Sequence, residues 1–290
     1  AGATGGDGIG IIGKRKGLVI LVDFQDVKMQ SAHDNAEWND FFNKSGYNTL
    51  SNSGSVHDYF YSQSYGQFDL SFDVVGPVTV SKNMADYGGN DDSGNDKDPG
   101  GMVYEACRLV ADKVNFADYD WDGDGEVDQV FVIYAGYGEA SRPALLPNTI
   151  WPHEWTLKAA GYSLTLNKVK INTYGCTAEL NDYGSNNMAG IGTACHEFSH
   201  CLGLPDIYDT SGGDCFGMDL WDVMDYGSYA GNGYCPVGYN TYQRWVSGWM
   251  QPEVLDKPTD VYDLPALSES PKSYVVYNDN KPREYYIFEN

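Results

Sequence analysis

His196-Glu-Phe-Ser-His200-Cys-Leu-Gly203-Leu-Pro-Asp206 is the most informative run of this chain. Histidines spaced in this way lie on one face of a helix, one turn from each other, so both imidazoles can reach a single zinc ion. Glu197 projects from the adjoining face, where it can take a proton from an attacking water molecule and deliver it to a leaving amine. The spacing therefore predicts a zinc site, with His196 and His200 as ligands and Glu197 as the general base.

The residues that follow this helix predict a third ligand. Gly203 can adopt a positive φ and turn the chain back toward the metal, and Pro205 prevents the helix from continuing. Asp206 lies three residues beyond Gly203, and its carboxylate is a competent zinc ligand. We therefore predict that Asp206 is the third protein ligand, with Asp209 and Asp225 as the alternatives.

A second element lies downstream, Trp221-Asp-Val-Met224-Asp-Tyr226-Gly227. It resembles the Met-turn of the metzincin metallopeptidases, in which a methionine forms an apolar floor under the zinc-binding histidines. The resemblance implies that role for Met224. It also implies that the phenol of Tyr226 donates a hydrogen bond to the oxyanion that forms during peptide hydrolysis.

Outward from the zinc helix, hydrophobic periodicity predicts strands that recur between helices. Strands are predicted over residues 17–24, 68–80, 129–134 and 171–180, the last of them half exposed. Helices are predicted over residues 35–43, 56–64, 101–114 and 188–202, and regular periodicity resumes over 240–246. An exposed loop is predicted over 83–100, and β-rich tail segments over 261–264, 273–277 and 284–288. This order predicts an α+β fold, with a mixed twisted sheet flanked by helices.

The segment Asp120-Trp-Asp122-Gly-Asp124-Gly125-Glu126-Val-Asp128 is similar to the calcium loop of EF-hands. Aspartates occupy positions 1, 3, 5 and 9, a glycine occupies position 6, and Glu126 offers its backbone carbonyl from position 7. Phe131 stands where a bidentate glutamate is usual, and a second frame from Asp118 to Gln129 stays open. We predict a structural Ca²⁺ ion in this loop, because carboxylates this close repel each other without a cation.

The composition excludes several classes of partner. The chain has 290 residues, of which 18 are Lys or Arg and 41 are Asp or Glu, so its formal net charge is −23. Nucleic acids and anionic membranes require clustered basic side chains, so neither is an expected partner. No apolar run approaches the roughly 18 residues of a membrane-spanning helix. The six cysteines include no CxxC pair, and both free thiols and disulfide bridges stay open.

Further segments carry a resemblance to one family. They are GLVILVDFQDV (residues 17–27), DYFYSQSYGQFDLS (58–71), DYDWDGDGEVD (118–128), VFVIYAGYGEAS (130–141) and WPHEW (151–155). Together with the zinc helix and the Met-turn, they resemble the catalytic domain of the immune inhibitor A family. Members of that family are secreted bacterial zinc metallopeptidases within the metzincin-like zincins. The resemblance covers the chain from about residue 14 onward.

The resemblance implies a zincin- or metzincin-like catalytic domain with an irregular C-terminal subdomain and a β-rich tail. On this interpretation, residues 1–16 are a flexible leader or propeptide remnant, 17–203 the N-terminal catalytic subdomain and 204–290 the C-terminal subdomain. The resemblance also implies a secreted zymogen, expected to be a monomer, that acts on protein or peptide substrates.

The leading hypothesis is therefore a zinc-dependent endopeptidase whose substrate pairs with the exposed strand at 171–180. Two other classes stay open. One is a catalytically inert, peptidase-like metal-binding adhesin or binding module. This class would be excluded if the protein hydrolyses casein or gelatin and a chelator blocks the hydrolysis. The other is a calcium-dependent glycan-binding protein, which only the aromatic residues and the acidic loop suggest.

Overall fold

The computed structural model describes residues 11–211, 215–281 and 283–290 of the chain. In these ranges the strands are β1 (Gly13–Asp23), β2 (Phe68–Thr79), β3 (Val130–Tyr137), β4 (His153–Thr156), β5 (Leu164–Leu166), β6 (Val169–Ile171), β7 (Thr173–Leu180), β8 (Glu253–Val254), β9 (Tyr274–Tyr277) and β10 (Tyr285–Phe288). The α-helices are α1 (Asn35–Asn43), α2 (Val56–Gln63), α3 (Met84–Gly88), α4 (Pro99–Leu109), α5 (Ile191–Cys201) and α6 (Thr241–Val246). None of these helices is long and apolar enough to cross a bilayer.

The main sheet has five strands in the order β2-β1-β3-β7-β4. Strands β2, β1, β3 and β7 are parallel to their neighbours, and β4 runs antiparallel to β7. The predicted mixed sheet flanked by helices is confirmed. Strand β4 is an edge strand, and it contacts α5, the helix that carries the zinc motif.

The side chains of β1 alternate between two hydrophobic cores. On one face, Leu18, Ile20 and Val22 pack with residues of α3 and α4. On the other face, Val19 and Leu21 pack with residues of α1, α2 and α5. A strand covered on both faces needs a continuous apolar run, and this is the pattern by which β1 was predicted.

Helix α5 is fixed at its start, its middle and its end. A methyl group on Gly192 would overlap the backbone oxygen of Ser228, so a glycine is required where segment 226–229 crosses the helix. In the middle of the helix, Phe198 packs against aromatic rings of α2, β2 and β3. At the end, Gly203 has a φ of +88°, which turns the chain back toward Asp206.

The C-terminal part holds α6 and a three-stranded sheet in the order β10-β9-β8. Strands β9 and β10 confirm the predicted tail strands at 273–277 and 284–288, whereas the strand predicted at 261–264 is wrong. There the chain is irregular, and Asp263 has a φ of +52°, which an extended strand does not allow. The buried Arg244 fastens this part to α2, because its Nη2 donates to Oε1 of Gln63 at 2.8 Å.

The exposure predicted for the strand at 171–180 is wrong. Strand β7 lies between β3 and β4, and all of its residues except the first are buried. Its alternating polar residues suggested a solvent-facing side, but Glu179 is buried because donors satisfy it: it accepts hydrogen bonds from the N–H groups of Gln30 (2.8 Å) and Gly136 (2.9 Å). Strand β7 therefore has no free edge for the predicted pairing, and its neighbour β4 is an edge strand of the sheet.

Three predicted boundaries also differ. Residues 83–100 are not a loop throughout, because they contain α3 and the first residues of α4. The helix predicted at 101–114 begins at Pro99, behind an Asp98 cap, and ends at Leu109. Strand β1 begins at Gly13, which pairs with Phe68, so residues 13–16 belong to the sheet and not to the predicted leader. Residues 1–10 of that leader lie outside the described part.

The six cysteines are unbridged. Cys107, Cys176 and Cys195 are buried, while Cys215 and Cys235 are exposed. Of the two possibilities that the sequence left open, the structure has free thiols.

Candidate active site

The predicted zinc ligands converge on one point. Atom Oδ1 of Asp206 lies 3.3 Å from Nε2 of His196 and 3.2 Å from Nε2 of His200. The two imidazole rings are 4.8 Å apart and nearly perpendicular. Ligand atoms of His196, His200 and Glu197 also lie within 4.8 Å of one another. The turn at Gly203 thus brings Asp206 to the helix face that carries both histidines.

Hydrogen bonds fix the orientation of both imidazoles. Nδ1 of His196 donates to the backbone oxygen of Val223 at 2.7 Å, and Nδ1 of His200 donates to that of Leu204 at 2.8 Å. A ring whose proton is on Nδ1 presents the lone pair of Nε2, so both lone pairs point toward Asp206. Oδ1 of Asp206 is buried, and no hydrogen-bond partner for it is present among the described residues. Two imidazole lone pairs and a carboxylate oxygen that converge on one point are suited to a metal cation.

The charges of the site shift the pKa of each member. Burial lowers the pKa of both histidines, but the neighbouring Asp206 carboxylate more than offsets this, and both pKa values lie above the usual value. Burial raises the pKa of Asp206, yet the two imidazoles hold it well below its usual range. Burial raises the pKa of Glu197 to about 7, against the opposing effect of the histidines.

The predicted Met-turn lies against this site. Met224 is fully buried, in the core that also contains α5. Its N–H donates to Oδ1 of Asp222 at 2.7 Å, and Asp222 in turn accepts from Nε2 of Gln243 at 2.7 Å. The residue between them, Val223, provides the carbonyl that orients His196. The turn therefore fixes His196 through its backbone, while Met224 packs in the core shared with α5.

A cavity of about 810 Å³ opens beside the histidines. Its walls are residues 151–155 of the β4 edge, the zinc motif of α5, and residues of the segment 205–229. Three tyrosines line it, namely Tyr208, Tyr226 and Tyr229. The predicted Tyr226 is 60% exposed. Burial raises the pKa of Tyr208 and of Tyr229, so both phenols keep their protons and can donate a hydrogen bond into the cavity.

The two alternative ligands are occupied elsewhere. Oδ1 of Asp209 accepts from the N–H of Ser211 at 2.9 Å. Asp225 accepts from the N–H of Tyr226 through Oδ1, and from the N–H groups of Met218 and Asp219 through Oδ2. Both carboxylates therefore stabilise loops, whereas Asp206 faces the histidines.

The acidic loop has the shape of a cation-binding loop. Oxygens of Asp120, Asp122 and Asp124 lie within 4.8 Å of one another. The two oxygens of Asp120 accept from Gly123 N–H at 2.8 Å and Gly125 N–H at 3.0 Å, which curls the backbone around them. These contacts bring together three of the predicted calcium ligands.

The remaining loop residues differ in their surroundings. Asp128 is half-buried and accepts from the N–H of Trp121 at 2.5 Å; burial and the other loop carboxylates raise its pKa to about 6. The side chain of Glu126 pairs with Lys170 at 2.7 Å, which leaves its backbone carbonyl for the predicted role. Gln129, the last residue of the second frame, is buried with both amide atoms unpartnered.

The sequence patterns indicate no role for Glu154 and no strand at 153–156, yet both belong to the cavity wall. A four-residue strand is too short to show alternation, so only the family resemblance of WPHEW marks this segment. The local signal that could identify it is a glutamate between two tryptophans.

Comparison with known proteins places this site in a family. Residues 8–253 match the family model described as "Immune inhibitor A peptidase M6, catalytic domain". The chain belongs to the peptidase M6 family. The match spans the five-stranded sheet, the acidic loop, the zinc motif and the Met-turn of this M6 chain, which confirms the predicted resemblance.

Two relatives show the extent of the match. Immune inhibitor A of Bacillus thuringiensis subsp. alesti is 28% identical over 285 residues, which covers 82% of this M6 chain and 41% of the relative. Pre-pro-metalloprotease PrtV of Vibrio cholerae serotype O1 (strain M66-2) is 28% identical over 272 residues, which covers 79% of this chain and 29% of the relative. The chain thus spans less than half the length of the curated relatives it matches.

Proposed function

We propose that this M6 chain is a zinc-dependent endopeptidase that hydrolyses peptide bonds in protein substrates. The observation that carries the proposal is the meeting of Nε2 of His196, Nε2 of His200 and the unpartnered Oδ1 of Asp206 beside Glu197. Two imidazoles and a carboxylate are a frequent ligand set for catalytic zinc. When bound, the metal would supply Lewis acidity toward the scissile carbonyl and would ease the ionisation of water.

Glu197 performs the proton transfers in this proposal. Its carboxylate is nearly fully buried at the cavity, with a pKa raised to about 7. A base with a pKa near neutrality accepts a proton from the attacking water and returns it to the leaving amine, since neither transfer is strongly uphill. Zinc held at Nε2 of His196 and of His200 would occupy the lone pairs of these nitrogens, which leaves the Glu197 carboxylate as the proton acceptor.

The free edge of β4 aligns the substrate. The N–H of Leu157 donates to the oxygen of Asn172 at 2.8 Å, directly after the register that pairs Trp155 with Tyr174. Because hydrogen-bonding direction alternates along an antiparallel strand, the backbone groups of Glu154 and the N–H of Thr156 point away from the sheet. The oxygen of Thr156 accepts from the N–H of Ala160 at 3.1 Å, so the pairing of an extended peptide centres on Glu154 and places the substrate carbonyl beside Glu197.

Casein or gelatin turnover tests this function. We expect hydrolysis that a chelator abolishes and that added zinc restores. A protein that holds zinc and binds substrate but never cleaves it would instead support the inert binding module. No observed feature favours that module, because the proposed general base and the edge strand are both present.

Tyr226 is proposed to stabilise the oxyanion, and its loss has a measurable consequence. We expect Tyr226→Phe to lower kcat by about 10²–10³-fold, because one donor to a developing oxyanion has that effect. Zinc content should be unchanged. Tyr208→Phe and Tyr229→Phe are the matched comparisons, and a larger loss in either of them would reassign the role.

We also propose that the Asp120–Asp128 loop binds a structural Ca²⁺ ion. It connects the region after α4 to β3, and Trp121 from this loop packs on Phe198 of α5 with ring centroids 6.5 Å apart. A cation held only by the folded chain, at 100 times its Kd, adds about 2.7 kcal/mol to the free energy of unfolding. Calcium should therefore stabilise the sheet and the zinc helix together.

The calcium prediction is tested by melting. We expect calcium to raise the melting temperature by about 5 °C, and Asp122→Asn with Asp124→Asn to remove that response. Asp92→Asn with Asp112→Asn is the control, because both residues are exposed and the charge change is the same. If the parent protein melts at one temperature with and without calcium, the loop is only an acidic turn.

Secretion, synthesis as a zymogen and a monomeric state complete the proposal. One relative is named a pre-pro-metalloprotease, and that name supports an exported precursor for this chain. Detection of the mature chain in culture medium, shortened relative to its precursor, tests the first two properties, and light scattering tests the third. The division into subdomains at residues 203 and 204 stays a prediction.

A further inference from the structure

Glu154 faces the same side of the sheet as the zinc helix. In the register of β4 with β7, His153 is opposite Cys176, and Glu154 is opposite Gly175. A methyl group on Gly175 would lie 3.7 Å from the Cβ of Glu197, so this face of β7 looks onto α5. Directly opposite residues of a sheet share a face. The side chain of Glu154 therefore projects toward α5, below the edge where a substrate would pair.

The carboxylate of Glu154 has no partner among the described residues. No hydrogen bond or ion pair to its side chain is present in residues 11–211, 215–281 or 283–290. Burial nonetheless raises its pKa above the usual value. The contrast with Glu179 is informative, since that carboxylate is fully buried and accepts hydrogen bonds from two backbone N–H groups. The Glu154 carboxylate lines the cavity, so solvent or a ligand there can supply the donors that the protein does not.

The charge balance of the cavity leaves Glu154 uncompensated. The cavity has four carboxylates, Glu154, Glu197, Asp206 and Asp225, and no Lys or Arg among its described lining residues. The two carboxylate oxygens of Asp225 accept hydrogen bonds from three backbone N–H groups. The two charges of a zinc ion would offset Glu197 and Asp206. One negative charge remains, and it is on the side chain below the substrate edge.

We propose that Glu154 is a specificity-determining residue that binds the cationic side chain of a substrate Lys or Arg close to the scissile bond. This inference rests on the proposed peptidase function. The aromatic lining supports it, because Trp151 and Tyr226 are about half exposed in the same cavity and a cation is attracted to the face of such rings. An acidic substrate side chain would meet only repulsion there.

Matched peptides test the proposal. The peptides share one sequence and are varied one position at a time, at the two residues before and the two residues after the scissile bond. Each of these positions carries Lys, norleucine or Glu in turn, and kcat/KM is measured for every peptide. At one position we expect Lys to exceed norleucine by at least about tenfold, since a charge-assisted hydrogen bond contributes about 1.5–3 kcal/mol. In Glu154→Gln that ratio should fall to about 1, and Glu154→Arg should prefer the Glu peptide. Glu269→Gln, which removes one exposed charge of the tail, should keep the parent ratio.

Binding without turnover separates recognition from chemistry. Calorimetry with uncleaved peptides on zinc-loaded Glu197→Gln should give a lower Kd for Lys than for norleucine, and the Glu154→Gln, Glu197→Gln double variant should lose this difference. The inference is overturned if the parent does not distinguish Lys from norleucine, or if Glu154→Gln slows every peptide equally while the binding ratio survives. If no peptide is cleaved at all, the proposed function fails, and the calorimetric ratio still decides the role of Glu154.

Discussion

Glu197→Gln should reduce peptide hydrolysis by about 10²–10⁴-fold, the range that a positioned general base contributes. The amide has nearly the shape of the carboxylate but cannot accept the proton of the attacking water. The variant should still bind zinc stoichiometrically, because the atoms that meet at Asp206 belong to His196 and His200. Turnover of a peptide and zinc content by elemental analysis are the two measurements.

A matched control distinguishes this effect from a change of net charge. Glu269→Gln removes the same charge from an exposed position of the tail, and its turnover should equal that of the parent. Near-normal turnover by Glu197→Gln would refute the assignment of the general base. Loss of zinc along with activity would instead indicate that Glu197 acts as a ligand.

Asp206→Asn should weaken zinc binding by more than about 100-fold. Loss of a group that only orients a ligand already costs about 10–100-fold, and here the group is proposed to touch the metal. The two imidazoles also hold the pKa of this carboxylate well below its usual range, so it is ionised and able to bind the metal. Competition with a chromophoric chelator measures the affinity, and activity should return in part at high zinc concentration.

Asp209→Asn is the control for this second experiment. Asp209 lies three residues away in the same loop, and its carboxylate accepts from Ser211 and Cys215. Its replacement should leave zinc affinity within a few-fold of the parent. If Asp209→Asn loses zinc and Asp206→Asn does not, the third ligand has been assigned to the wrong aspartate.

Local sequence rules succeeded wherever the determining contacts are close in the chain. Helix α1 has the predicted bounds, and α2 begins at the predicted residue, Val56, behind Ser55, whose hydroxyl accepts from the N–H of Asp58 at 3.1 Å. The spacing of His196 and His200 needs only one turn of helix. The turn at Gly203 needs only one residue with positive φ. Each of these features is a property of fewer than a dozen consecutive residues.

The same local rules gave wrong predictions where contacts between distant segments determine the structure. The polar residues of β7 predict a solvent-facing side. This prediction is wrong because the N–H groups of Gln30 and Gly136 donate to Glu179, and no local sequence pattern shows such contacts. The tail strand predicted at 261–264 has the right composition, yet the sheet there is built from β8, β9 and β10. A segment with high strand propensity forms a strand only where the tertiary fold places a pairing partner beside it.

The amino-acid sequence by itself determined the zinc-motif helix, the turn that follows it, the curled acidic loop and the family resemblance, since short-range spacing encodes all of them. Only the tertiary structure decided that β4 and not β7 lies at an edge of the sheet, and that Asp206 and not Asp209 or Asp225 faces the histidines. It also decided that the Glu154 carboxylate lines the same cavity as Glu197 and has no partner in the part of the chain that the structure describes. The physical reason is that strand order and side-chain pairing depend on segments far apart in the chain, whose approach is set by burial of the whole core and not by any local pattern.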